Sequence, residues 1–121
     1  MNLKFDQKGL VPVIVQDWKK NDVLMLAYMN KVSLRKTMKT KEMWYWSRSR
    51  KVLWHKGETS GHIQVVKEVA VDCENNSLLF IVEQKVAGCH AGYFSCYYQK
   101  VNSKGELEIT EKLVFDPKKV Y

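Results

Sequence analysis

Two short apolar runs rich in strand-favouring residues lie close together near the start of the chain. They are Val11 to Gln16 and Val23 to Met29, with the polar stretch Asp17-Trp18-Lys19-Lys20-Asn21-Asp22 between them. Such a pair predicts neighbouring strands joined by a hairpin turn. Asn30 follows at once and suits the cap of a helix over about Lys31 to Lys39, with Leu34 and Met38 one turn apart on its buried side. No other stretch reads convincingly as a helix. Met43 to Arg48 is aromatic and extended, and Ile63 to Cys73 is valine-rich with partial two-residue alternation, so both predict strands. Glu74-Asn75-Asn76-Ser77 is a turn before a strand at Leu78 to Glu83. Asn102-Ser103-Lys104-Gly105 is another, between strands expected at Phe94 to Val101 and Leu107 to Thr110. The expected fold class is α+β, mostly β-strand with one main helix.

A chain of 121 residues has room for one hydrophobic core, and with prolines only at Pro12 and Pro117 nothing divides it, so 1–121 is expected to be a single domain. The apolar fraction of 45% and charged fraction of 27% exclude a disordered or fibrous chain. The longest apolar run, Val23 to Met29, is seven residues, whereas a membrane span needs about 20. The start, Met1 to Asp6, lacks the apolar core of a signal peptide, and the expected location is cytoplasmic. Lysine and arginine outnumber aspartate and glutamate by 20 to 13, and a formal charge of +7 draws anionic partners, either nucleic acid or a phosphorylated metabolite.

Chemistry is expected around the three cysteines, Cys73, Cys89 and Cys96. An odd number cannot pair within one chain, and a reducing compartment leaves them as buried thiols or metal ligands. Fifteen residues separate Cys73 from Cys89 and six separate Cys89 from Cys96, a looser spacing than that of structural zinc knuckles. On spacing alone, small core residues are the stronger reading. Gly88 and Gly92 with His90 and Ser95 shift the balance, because they suit a tight turn that displays a site. Three protein ligands leave zinc one open position for a water whose pKa falls toward ~7.

Asp72, Glu74 and Asn76 bracket Cys73, and in a continuing strand they project opposite the thiol, where oxygen ligands suit magnesium; a solvated turn is the equal alternative. Ser47-Arg48-Ser49-Arg50, if extended, puts both guanidinium groups on one face to grip phosphate oxygens. The following stretch, Trp54 to His62, reads as a loop between strands that mixes cations, an acid and glycines. His90, beside Cys89, is the candidate proton carrier; His62 is a weaker one. Trp54 is either core or a platform for a purine.

Together, Gly9-Leu10-Val11-Pro12, Val23 to Asn30, Ser47 to Arg50, Leu53-Trp54, Lys56-Gly57-Glu58, Ser60-Gly61, Asp72-Cys73, Cys89-His90 and Ser95-Cys96 closely resemble the phosphoribosyl-AMP cyclohydrolases, hydrolases of the third step of histidine biosynthesis. The ending Val114-Phe115-Asp116-Pro117 with Val120-Tyr121 is similar to members without a fused second enzyme. The resemblance implies an intertwined homodimer with zinc at the subunit boundary, held by Cys73 of one chain and Cys89 and Cys96 of the other. It also implies magnesium on an acidic cluster of pattern D-C-D-x-D, which here reads Asp72-Cys73-Glu74-Asn75-Asn76, so two of the three acids depart. The implied reaction adds water at carbon 6 of the adenine in phosphoribosyl-AMP and breaks the bond to ring nitrogen 1. His90 would move protons, and Ser47, Arg48, Ser49, Arg50, Trp54, Lys56, Glu58 and Ser60 would bind the substrate. Among them Arg48, Arg50 and Lys56 would hold its phosphates, while Asp72 and Glu74 through magnesium orient a remaining phosphate or a water. Nucleic acid and membrane are not expected partners. The alternative from another class is a small basic zinc module that binds RNA through its aromatic, arginine-rich strand. A nucleotide deaminase would need H-x-E and P-C-x-x-C elements, which the chain lacks.

Overall fold

In the computed structural model, which describes residues 2–121, the apolar runs form strands and the order of elements is largely the one expected. β1 (Val11–Asp17) and β2 (Val23–Met29) pair antiparallel. α1 (Lys31–Thr40) follows, then a hairpin of β3 (Trp44–Ser47) and β4 (Val52–His55). β5 (Gln64–Val71) and β6 (Leu78–Gln84) form a second antiparallel pair, and β6 lies parallel to β1, giving a four-stranded sheet of order β2-β1-β6-β5. β7 (Gln99–Val101) and β8 (Leu107–Ile109) make a separate ribbon, and Pro117–Lys119 is one turn of 3-10 helix.

Alternation decides which face is buried. Val11, Val13 and Val15 of β1 and Leu78, Phe80 and Val82 of β6 point inward, where Leu24, Met25 and Met29 of β2 join Met43 and Tyr45 from the hairpin side. The opposite face carries a row in register across all four strands, Leu26, Ile14, Leu79 and Ala70. That row is partly open to solvent, with Leu26 52% exposed. Segment 41–43 fastens the hairpin to the sheet: Val66 N–H donates to Lys41 O at 2.8 Å and Met43 N–H to Gln64 O at 3.1 Å.

Several expectations are corrected. Leu34 is only half-buried and Met38 is 36% exposed; the buried positions of α1 are Ser33 and Thr37. Polar contacts explain this. Ser33 completes a reciprocal cap with Asn30, and the Thr37 hydroxyl accepts from Trp44 N–H at 2.9 Å, so hydrogen bonding joins the packing of Leu34 against the core in docking the helix, while Met38 stays outside. The strand after β2 ends at Ser47, and Ser47 to Lys51 is a tight turn in which Lys51 N–H donates to Ser47 O at 2.8 Å. The alternating two-faced reading of Ser47-Arg48-Ser49-Arg50 therefore fails. β4 covers Val52–His55 and takes in Trp54, so the loop before β5 begins only at Lys56. β5 stops at Val71, and the ribbon begins at Gln99 rather than Phe94, because residues 86–96 bend back on themselves around the cysteine turn. Among the described residues no helix is long and apolar enough to cross a membrane.

Candidate active site

The turn that follows β6 brings two of the three cysteines together. Gly88 N–H donates to Phe94 O at 2.8 Å and Cys89 N–H to Tyr93 O at 3.1 Å, closing residues 88–94 into a loop. Beyond it, the Ser95 hydroxyl donates to Val23 O at 2.6 Å and Cys96 N–H donates to Leu24 O at 2.8 Å, which pins Cys96 to the start of β2. Cys89 is buried, while Cys96 as a residue is exposed. Its thiol nevertheless lies against protein: burial pushes it up to about 11, and the nearness of Cys89 adds to the rise.

Lys56 belongs to this cluster. It is 5% exposed, and its ammonium donates to Gly88 O at 2.6 Å and lies 5.1 Å from the Trp54 ring. Burial holds that ammonium below its ordinary value, opposed by Cys96 and Cys89. Lys56 is therefore available to balance thiolate charge, and it stands at the opposite end of the β3–β4 hairpin from Arg48 and Arg50. Four residues of strand separate the two ends, about 13 Å. Tyr45 stacks at a tilt on Trp54, with ring centroids 5.3 Å apart, and burial raises its phenol well above the usual range, with Cys96 contributing.

Arg48 sits over the Tyr28 ring at 3.8 Å, and the two line an open cavity of about 330 Å³ with Asp6, Gln7, Lys8 and Leu10. Lys8 and Tyr28 were not singled out from sequence. An aspartate-anchored N-terminal turn brings Lys8 there, since Asp6 Oδ1 accepts from Lys8 N–H at 2.8 Å and Leu10 N–H at 2.9 Å. Ser47 and Ser49 hydroxyls face each other at 3.5 Å, while Arg50 and Ser49 are exposed at the hairpin tip. Glu58 is exposed, and Ser60 Oγ accepts from His62 N–H at 3.1 Å inside its own loop.

His90 is exposed next to Cys89, with its ring 6.4 Å from that of Tyr121. His62 is buried, packed edge-on against Phe115 at 4.7 Å, and its Nδ1 has no partner. Burial lowers its pKa, and Lys56 lowers it further. The C-terminal segment is laid over the cysteine turn by Val114 N–H donating to Gly92 O at 2.8 Å.

Cys73 is exposed in the β5–β6 turn, away from this cluster. Asp72 and Glu74 do not project from a strand: the chain has already turned, and Asp72 Oδ1 accepts from Asn76 N–H at 2.9 Å and Ser77 N–H at 3.0 Å. Those bonds hold the Asp72 carboxyl below the usual range although partial desolvation acts against them. Among the described residues no three His, Cys, Asp or Glu side chains converge within one chain to hold a metal. The donor chemistry still suits zinc, since two adjacent thiols with a cation beside them lack only a third donor. The turn of Asp72 and Glu74 offers two carboxylates, the number by which hydrated magnesium is commonly held. The aromatic strand lends no support to an RNA platform, since Tyr45 is fully buried and Trp44 and Trp46 are half-buried.

The family profile for phosphoribosyl-AMP cyclohydrolase matches residues 25–98. The protein of that name from Pelotomaculum thermopropionicum is 52% identical over 120 residues, 99% of this chain and 93% of its own length. The one from Chlorobium chlorochromatii is 53% identical over 119 residues, 98% of this chain and 87% of its own. The histidine biosynthesis bifunctional protein HisIE of Thermoanaerobacter pseudethanolicus is 52% identical across 98% of this chain, which spans 55% of that longer protein. A profile over most of the cysteine-bearing chain and half-identity along nearly all of it lead to one conclusion: this chain belongs to the phosphoribosyl-AMP cyclohydrolase family.

Proposed function

We propose that this protein hydrolyses phosphoribosyl-AMP, adding water at carbon 6 of the adenine and breaking the bond from carbon 6 to ring nitrogen 1. The exocyclic amino group stays on carbon 6, which becomes a carboxamide, and nitrogen 1 takes up a proton. The observation that carries this reading is the meeting of Cys89, Cys96 and the buried ammonium of Lys56 in a chain half identical to proteins of that name. Cys89 and Cys96 with Cys73 of a second copy would hold zinc, which supplies the Lewis acidity that makes water an effective nucleophile near neutral pH. Lys56 offsets the charge of the thiolates, and Trp54 beside it offers a half-open ring for the purine. Arg48, set over Tyr28 with Lys8 on the same cavity, anchors one phosphate. His90, open to solvent beside Cys89, carries the proton that nitrogen 1 receives. Asp72 and Glu74 would hold magnesium, whose charge would serve to orient the remaining phosphate or a water.

A homodimer follows from the same reading. It is supported by the separation of Cys73 from the other thiols, by the apolar row of Leu26, Ile14, Leu79 and Ala70, and by the β7–β8 ribbon, whose Val101, Leu107 and Ile109 are all exposed. A lone two-stranded ribbon is marginal in water and gains most from packing on a neighbour. Free thiols suit the reducing cytoplasm. Purified protein given phosphoribosyl-AMP should show the absorbance change of ring opening without ammonia release, and a zinc chelator should abolish it. Ammonia release, or full turnover of protein freed of metal, rejects the reading.

A further inference from the structure

Gln84 closes β6 and is 7% exposed, yet its side chain serves neither strand pairing nor apolar packing. Its amide nitrogen faces four backbone oxygens, Lys85 O at 3.0 Å, His62 O at 3.1 Å, Ala87 O at 3.2 Å and Ile63 O at 3.3 Å. Its amide oxygen accepts from Gln64 Nε2 at 2.7 Å, and the Gln64 oxygen accepts from the Tyr45 hydroxyl at 2.5 Å. Hydrogens therefore point one way along a buried chain from Tyr45 through Gln64 and Gln84 to the carbonyls. Reversing the Gln84 amide would set its oxygen against four others, so the orientation is unique, and each bond polarises the next.

The chain ends at the cysteine turn. Ala87 and Gly88 directly precede Cys89, and their carbonyls are held by two side chains from the interior, Ala87 O by Gln84 and Gly88 O by Lys56 at 2.6 Å. Gly88 leaves no slack above the amide: a Cβ there would stand 3.0 Å from Gln84 Oε1 and 3.0 Å from Phe94 O. We infer that Gln84 is a positioning residue that fixes the backbone carrying Cys89 and thereby the geometry in which Cys89 and Cys96 hold a metal. This inference rests on the thiol-held metal of the proposed function.

The test replaces zinc by cobalt in the full-length protein and reads the thiolate–cobalt absorption bands, with zinc affinity measured by chelator competition and folding by thermal unfolding. Gln84→Met keeps the volume without the donors, and Gln84→Glu also sets a carboxylate against four carbonyls. The expected result is a fall in zinc affinity of about 10- to 100-fold in the methionine variant, with altered cobalt bands, and a larger fall in the glutamate variant. Gln64→Met, one bond further from the cysteine and so a milder change, should give a smaller fall in the same direction. Thr37→Val, whose side-chain partners are Ser33 and Trp44 and neither Gln84 nor the cysteine turn, should leave affinity at the wild-type value. Wild-type affinity and bands in whichever Gln84 or Gln64 variants fold, or an equal loss in Thr37→Val, overturns the inference. Wild-type protein without thiolate–cobalt bands overturns the metal reading beneath it.

Discussion

Two glycines separate backbone strain from steric exclusion at the scale of the residue. Gly57 lies at φ +86°, and a Cβ there would stand 2.5 Å from Ile63 N and 2.6 Å from His62 C, both backbone atoms that cannot swing aside. Gly9 has a similar φ of +77° and open space around it. Gly9→Ala should then cost about 1 kcal/mol through conformation alone, while Gly57→Ala should cost about 2 to 4 kcal/mol, the difference being readable by thermal unfolding. Arg48 belongs at this scale too. Its contact with Tyr28 and its place on the cavity predict that Arg48→Ala raises KM several-fold and leaves kcat within about threefold, since it removes binding common to ground and transition states. Steady-state kinetics with phosphoribosyl-AMP decide it. The sequence pointed to Arg48 as a phosphate ligand, but Tyr28 and Lys8 could not be joined to it, because their approach depends on how the N-terminal turn folds back over β2.

At the scale of the element, α1 is held by a buried polar contact as well as by the packing of Leu34. Thr37 Oγ1 lies 2.9 Å from Ser33 O and 3.2 Å from Trp44 O, and accepts from Trp44 N–H at 2.9 Å. Thr37→Val keeps the shape and removes that acceptor, leaving a backbone donor unpaired, so a loss of about 1–3 kcal/mol is expected in chemical denaturation. The helix itself was legible, since Asn30 caps it as its residue type requires. Its buried face was legible only in part: periodicity nominates Leu34, which packs on the core, and Met38, which does not, while the fully buried Thr37 hydroxyl has its partner, Trp44, on the next element. β1, β2, β5 and β6 were readable because runs of strand-favouring apolar residues between turn signals leave little choice. β4 was missed because Trp54-His55 joins a run of polar residues, and only pairing with β3 makes it a strand.

The whole molecule sets the pH response and the completeness of the site. His62 is enclosed by Phe115 and feels Lys56, so its folded-state pKa is lowered below the ordinary 6.5. The unfolded chain then takes the proton more readily. The stability this group contributes is full above about pH 6.5 and is lost as pH falls through the lower folded value. His62→Gln should flatten the decline in unfolding free energy between about pH 7 and 5; an unchanged slope would assign the decline to other groups. Completeness is tested by mixing two inactive proteins, Cys73→Ser and Cys89→Ser. If the site needs Cys73 from one copy and Cys89 from another, each mixed dimer regains one intact site of two. Full exchange then restores about a quarter of wild-type turnover. No recovery after exchange, verified by mass spectrometry of the mixed species, argues for a site built within one chain.

The sequence by itself determined the strand-forming runs, the capped helix, the charge, the chemical character of the thiols and the family, because each depends on residue type and local order. Tertiary structure decided which groups meet: Lys56 turned from the arginines to the cysteines, Gln84 and Gln64 spanning the interior to the cysteine turn, and Cys73 standing apart from its two counterparts. Such meetings join residues far apart in the chain, and their geometry follows from sheet register and turn closure, which no local pattern of residues encodes.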